Sequence, residues 1–361
     1  MTTNTAAWLP GNGLPLEVRP AEIPHAGPGE IVVRNRAVAV NPVDWIVQSI
    51  GAVAYRWLRH PAVLGADVGG EVVEVGPDVT RFRVGDRVTG LAVGTEQDRA
   101  RPAEGAFQLF TVLSEHLAAP IPEGMDATVA AVVPLTTSTA ATGLFEREHL
   151  ALHLPTAAPA AGEERGTVLV WGAGTAVGAN AVQLARAAGY AVVATASGRT
   201  ADGVRALGAA EVLDRRAPDV VDRLVETLRG RRFVGALAVG TGSAGACVEV
   251  VRRLDGVRAV ASASTAVSFD RLAPGRGVLL RALPLLLRMG VGEAAIRLRA
   301  RAASCSTAPT ATRRITGRCS GTCARRSTRS CSRRRGIGPL RCCSSGTALA
   351  HDADLVTREN G

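Results

Sequence analysis

The chain has 361 residues, of which 47% are hydrophobic and 3% aromatic, and it carries a formal net charge of +10. That length exceeds one typical domain, and the apolar share suffices for two cores. The charge invites a nucleic-acid partner, but 11 Arg and no acidic residue fall between 301 and 350, so the excess is local and makes such a partner unlikely for the folded part.

No charged start followed by an apolar run opens the sequence. The most apolar late segment, 278–291, is short and interrupted by Arg281, Pro284 and Arg288, too broken to span a bilayer. The expectation is a cytoplasmic protein without a membrane partner.

Residues 15–120 contain short β-prone runs separated by Gly and Pro, among them 30–34, 69–76 and 85–91, which predicts a compact β-rich domain. The same half carries Asn41-Pro42-Val43-Asp44, then Gly65-Ala66-Asp67, a GlyGlyGluValValGluValGly run ending at Gly76, ArgPheArgValGlyAspArgVal ending at Val88, and GlyAlaPhe ending at Phe107.

Around residue 167 the pattern changes. Residues 167–171 (ThrValLeuValTrp) suit a buried parallel strand. Gly172-Ala173-Gly174-Thr175-Ala176-Val177-Gly178 follows at once, then a helical spacing, then a second β-branched run at 191–195. Strand, glycine turn, helix and strand in this order predict a dinucleotide cradle, in which the turn lets a pyrophosphate approach backbone amides at a helix amino terminus. A purely structural turn is the competing reading.

The end of the second strand reads Ser197-Gly198-Arg199, with no acid before Asp202. An acid there would bond ribose hydroxyls, whereas a hydroxyl and a guanidinium suit a 2′-phosphate, so NADPH is the expected cofactor. The competing reading makes Ser197 a helix cap and Arg199 a solvated side chain. Further α/β units follow: strands at 211–213, 233–239 and 257–261, and helices at 220–228 and 244–254. Gly240 and Ser262 lie just past two of these strands, where a doubly wound sheet meets its ligand.

From about Arg301 the hydrophobic periodicity stops, and six of the seven Cys (305, 319, 323, 331, 342 and 343) gather among Arg, Ser and Thr. A basic RNA arm would carry interleaved aromatics, and a zinc site would need a matching second Cys pair. Out-of-frame translation of a GC-rich gene accounts best for this composition, with a disordered tail as the alternative.

The amino-terminal segments and the glycine turn together resemble the medium-chain dehydrogenase/reductase superfamily from about residue 12 to 270, and most closely its zinc-independent quinone reductase and enoyl reductase branch. The resemblance implies an α/β fold, a GroES-like β-rich catalytic domain at 1–135 joined to a doubly wound Rossmann domain at 136–290, with an atypical tail at 291–361. Pro42 and Ala66 stand where zinc-dependent members place Cys and His ligands, which implies no metal. Asn41 would line the nicotinamide pocket, or bond its own backbone; Thr139 would lie near the pyrophosphate and ribose, or cap a helix. Tyr55 is the candidate proton donor, with packing as its alternative role. The implied activity is NADPH-dependent hydride transfer to an enone or quinone as small-molecule substrate, in a homodimer. A non-catalytic NADPH-binding redox sensor or RNA-associated protein is the second hypothesis.

Overall fold

A computed structural model describes residues 3–156, 165–255, 259–263, 283–285, 287 and 341–344. The amino-terminal half comprises β1 (Asn4–Leu9), β2 (Glu17–Ala21), β3 (Glu30–Ala39), α1 (Pro42–Ala54), β4 (Ala62–Val63), β5 (Asp67–Val75), β6 (Arg87–Leu91), β7 (Phe110–Ser114) and β8 (Ala118–Pro120). They form two antiparallel sheets, ordered β2-β1-β4 and β7-β3-β5-β6-β8. Alternation along β3, β5, β6 and β7 sends Ile31, Val33, Val68, Val72, Val88 and Leu113 into one core. Each such side chain contributes about 1.5–3 kcal/mol on burial.

An irregular loop joins β6 to β7 and is fixed by charge. Glu104, 1% exposed, takes ion pairs from Arg99 and Arg101, and both guanidiniums also reach Glu30 on β3.

Two helices connect the halves: α2 (Ala127–Ala130), and α3 (Pro134–Phe145), which opens on a proline at its first position. The stretch from Ala127 to Phe145 is long and apolar enough to resemble a membrane span by composition. A turn at 131–133 breaks it, and Ala130, Ala131, Ala140 and Leu144 pack inside the protein.

The second half contains β9 (Thr167–Trp171), α4 (Ala176–Ala187), β10 (Ala191–Ala196), α5 (Ala201–Ala206), β11 (Glu211–Asp214), α6 (Val220–Leu228), β12 (Phe233–Ala238), α7 (Ser243–Arg252), β13 (Ala259–Ser262) and β14 (Arg341–Ser344). Their order in one parallel sheet is β11-β10-β9-β12-β13-β14. Val168 and Val170 face one apolar cluster and Leu169 the opposite one, so helices cover both faces. The fold is therefore the expected doubly wound one, and its ligand crevice lies beyond the carboxyl ends of β9 and β12, where the strand order reverses. The strands and helices expected between 167 and 261 all form, with ends displaced by no more than two residues.

One strand was not expected. Residues 341–344 extend the sheet parallel to β13, pairing Arg341 with Ala259 and Ser344 with Ser262. No alternation in the sequence announces it, because a sheet edge is joined through backbone N–H and C=O groups that every non-proline residue carries. Apart from this strand, which carries Cys342 and Cys343, the tail expected at 291–361 lies outside the described residues, and with it the other four of its six cysteines.

Candidate active site

The glycine turn is built by close packing. Gly172 has φ +79°, a left-handed conformation in which a side chain would also press on the Val239 carbonyl. A Cβ at Gly178 would strike the Gly172 carbonyl and the Ala173 backbone, so the first turn of α4 rests directly on the loop. Thr175 is the N-cap: its Oγ1 accepts from the Gly178 amide at 3.1 Å and donates to the Gly172 carbonyl at 2.8 Å. The Thr175 hydroxyl is thus committed within the loop. The amides of Ala176 and Val177 have no hydrogen-bond partner among the described residues and lie on the exposed lip of the turn.

Beside the turn, the segment after β10 folds close. A Cβ on Gly174 would overlap Thr200 Oγ1, and that hydroxyl lies 3.0 Å from Ser197 Oγ. Ser197 opens a short 3-10 turn without a side-chain cap bond. Arg199 is exposed and has no ion pair among the described residues, whereas Arg205 is already paired with Asp202 at 2.7 Å. Strand register adds a residue that sequence reading missed: Ala196 pairs with Asp214, and the Arg215 amide donates to the Ala196 carbonyl at 3.0 Å. Exposed Arg215 therefore follows β11 directly alongside Ser197. Gly240, with φ +99°, follows β12, and buried Ser262 ends β13 at the same edge.

Across the cleft stands a buried polar junction. Asn41 caps α1, and its backbone amide donates to the Asp44 carboxylate at 2.7 Å. Its side-chain Nδ2 donates to Asp67 Oδ2 at 2.9 Å, while Asp67 Oδ1 accepts from the Leu135 amide at 2.8 Å. Asp67 is fully buried. Burial pushes the Asp44 carboxyl from 3.8 up to about 6, with nearby Asp67 adding to the rise. Burial also raises Asp67, against the opposing hydrogen bonds from Asn41 and Leu135. One N–H of the Asn41 carboxamide is engaged by Asp67, and the other has no partner among the described residues.

Tyr55, the C-cap of α1, packs partly against the Leu9–Leu64 core, and its ring centroid lies 5.3 Å from Trp57. Burial, then Glu96 and Asp44, hold its phenol up to about 12. Thr139 lies in the second turn of α3, not at its start, and its Oγ1 donates to the Leu135 carbonyl at 2.7 Å. Neither Pro42 nor Ala66 has a ligating side chain, and the described residues contain no group of three His, Cys, Asp or Glu placed to hold a metal.

The glycine-built turn, with open amides at a helix amino terminus, fits a nicotinamide dinucleotide; a Cβ at Gly172, Gly174 or Gly178 would collide with Val239, Thr200 or the Gly172 carbonyl and force the turn out of this shape. A parallel doubly wound sheet joined to an antiparallel β-rich domain defines a two-domain dinucleotide oxidoreductase. Residues 27–123 match the alcohol dehydrogenase GroES-like domain. Dehydrogenase pigH of Monascus ruber is 48% identical over 78% of this chain and 76% of its own length. Trans-enoyl reductase himH of Aspergillus japonicus is 38% identical over 70% and 72%. An alcohol dehydrogenase superfamily protein from Novosphingobium aromaticivorans superimposes with a TM-score of 0.58 at 28% identity, covering 84% of this chain and 87% of that one. The chain belongs to the medium-chain dehydrogenase/reductase superfamily and is an oxidoreductase of that group.

Proposed function

We propose that the chain is an NADPH-dependent reductase that transfers hydride to an activated C=C bond of an enone, or to a quinone, without a metal. The observation that carries this reading is the juxtaposition, at one edge of the parallel sheet, of the glycine-rich turn with the guanidiniums of Arg199 and Arg215, which have no ion-pair partner among the described residues. Gly172, Gly174, Ala176, Val177 and Gly178 would hold the pyrophosphate. Ser197, Arg199 and Arg215 would hold the 2′-phosphate, which guanidinium forks bind through charge-assisted hydrogen bonds. Thr139, Gly240 and Ser262 would border the nicotinamide half.

When bound, the reduced nicotinamide supplies the hydride. The uncommitted N–H of Asn41 would orient a carbonyl oxygen of the small-molecule substrate. The phenol of Tyr55, kept protonated throughout the neutral range, would hold the proton that completes reduction at carbon. With Pro42 and Ala66 in place of metal ligands, no Lewis acid polarises that carbonyl, which favours acceptors already activated by conjugation. The name of the Aspergillus japonicus relative, a trans-enoyl reductase, supports the enone in particular. The setting we propose is the cytoplasm.

The test is nicotinamide oxidation, followed by absorbance, with NADPH and NADH over a panel of enones and quinones. NADPH is expected to be preferred, and Arg199→Ala with Arg215→Ala should cut kcat/KM for NADPH about 10- to 100-fold while leaving NADH almost unchanged. Equal use of both cofactors would defeat the assignment of NADPH. NADPH binding with no acceptor reduced would defeat the assignment as a reductase and leave a nucleotide sensor.

A further inference from the structure

Two hydrogen bonds grip consecutive residues of one helical turn from opposite domains. The Leu135 amide, in the first turn of α3, donates to Asp67 of the catalytic domain at 2.8 Å. The next residue, buried Thr136, receives Asn180 Nδ2 from α4 of the nucleotide domain at 3.0 Å. Thr136 Oγ1 lies 3.0 Å from the carbonyls of Val132 and Val133, so one of these takes its proton and the oxygen is left free to accept from Asn180. Asn180 Nδ2 also lies 3.1 Å from the carbonyl of Ala176, the first residue of α4. Its amide therefore joins the start of the cradle helix to the start of α3. A continuous path results: glycine turn, α4, Asn180, Thr136, Leu135, Asp67, Asn41.

We infer that Asn180 and Thr136 form an interdomain brace, and that Asn180 is a positioning residue setting where the cradle stands relative to Asn41. The inference rests on the reductase reading for its kinetic consequence, though the brace itself is independent of substrate. Nothing else about Asn180 explains a carboxamide here. A helix needs none at its fifth residue, and an isolated solvated Asn would favour a non-helical turn. Gly143, two turns further along α3, packs on Leu237 of β12 so closely that a Cβ there would lie 2.6 Å from its Cδ1. With the far end of α3 seated on the sheet, the brace decides the placement of its near end.

The brace touches the cradle only at the Ala176 carbonyl and leaves free the Ala176 and Val177 amides that would face the pyrophosphate. Its loss should therefore disturb alignment for hydride transfer more than cofactor binding. Asn180→Ala is expected to lower kcat about tenfold, while the NADPH dissociation constant, from nicotinamide fluorescence, and the binding stoichiometry change by less than about twofold. Thr136→Val should behave like Asn180→Ala, Thr136→Ser like the native chain, and the double variant no worse than either single change. Partial unfolding would instead lower stoichiometry and add across the two sites.

Hydrogen exchange supplies a second readout that needs no turnover. Amides of 135–137 should exchange faster in Asn180→Ala, with β9 unaffected. Should the native chain bind no NADPH, the reductase reading fails and exchange alone decides the brace. Unchanged exchange at 135–137, or unchanged kcat in a chain that does turn over, overturns it.

Discussion

Asn41 and Asp67 meet side chain to side chain at 2.9 Å, although they are 26 residues apart and lie in different elements. Asp67 also binds Leu135, so one buried carboxylate joins the loop before α1, the start of β5 and the start of α3. Replacing it by Leu leaves two buried donors unpaired, for a cost of about 2–4 kcal/mol, and Asp67→Asn should cost less than half of that because one acceptor oxygen survives. Urea unfolding measures both. Equal losses for the two variants would show that these hydrogen bonds are not what Asp67 contributes.

Asp44 makes stability depend on pH in the less usual direction. The folded chain keeps its proton to about pH 6, whereas the unfolded chain releases it near 3.8. Between those values the folded state binds the additional proton, so stability falls as pH rises through the window and stays level above it. The loss is of the order of ~3 kcal/mol as an upper value. Denaturant titrations from pH 4 to 7 should show the decline in the native chain and a flatter curve in Asp44→Asn, which retains an acceptor for the Asn41 amide.

The cradle distinguishes two kinds of glycine. At Gly178 a methyl group meets backbone, which cannot withdraw, so Gly178→Ala should abolish cofactor binding and destabilise the chain by about 2 kcal/mol or more. At Gly174 the obstacle is the side chain of Thr200, so Gly174→Ala should be partly rescued by Thr200→Ala. Thermal unfolding and NADPH fluorescence together test the contrast. A Gly178→Ala chain with native affinity would show that the helix can move off the turn.

Glu104 is nearly fully buried between two half-exposed arginines. Glu104→Gln removes its charge and leaves Arg99 and Arg101 with Glu30 alone, at an expected cost of about 2–3 kcal/mol after allowance for the exposure of the guanidiniums. A loss under about half a kilocalorie, read from urea unfolding, would assign the loop's order to packing instead.

The strands and helices of the nucleotide half, and its glycine turn, were legible in the sequence because each depends on neighbours a few residues away: β-branched runs at 167–171 and 191–196, helical spacing after Gly178, and Gly172 where the turn takes a positive φ. Arg199 was legible for the same reason. Arg215 was not, because only the parallel pairing of β10 with β11 carries it alongside Ser197. Likewise the role of Asp67 depends on partners 26 and 68 residues away, and that of Asn180 on one 44 residues away. Local chemistry thus specified which pieces form and which kind of ligand they suit. Their arrangement around the cleft depended on hydrogen bonds between distant segments, whose partners become known only once the chain has closed its long loops. The short strand at 341–344 is the limiting case, a pairing made by backbone alone, which side-chain pattern had no means of announcing.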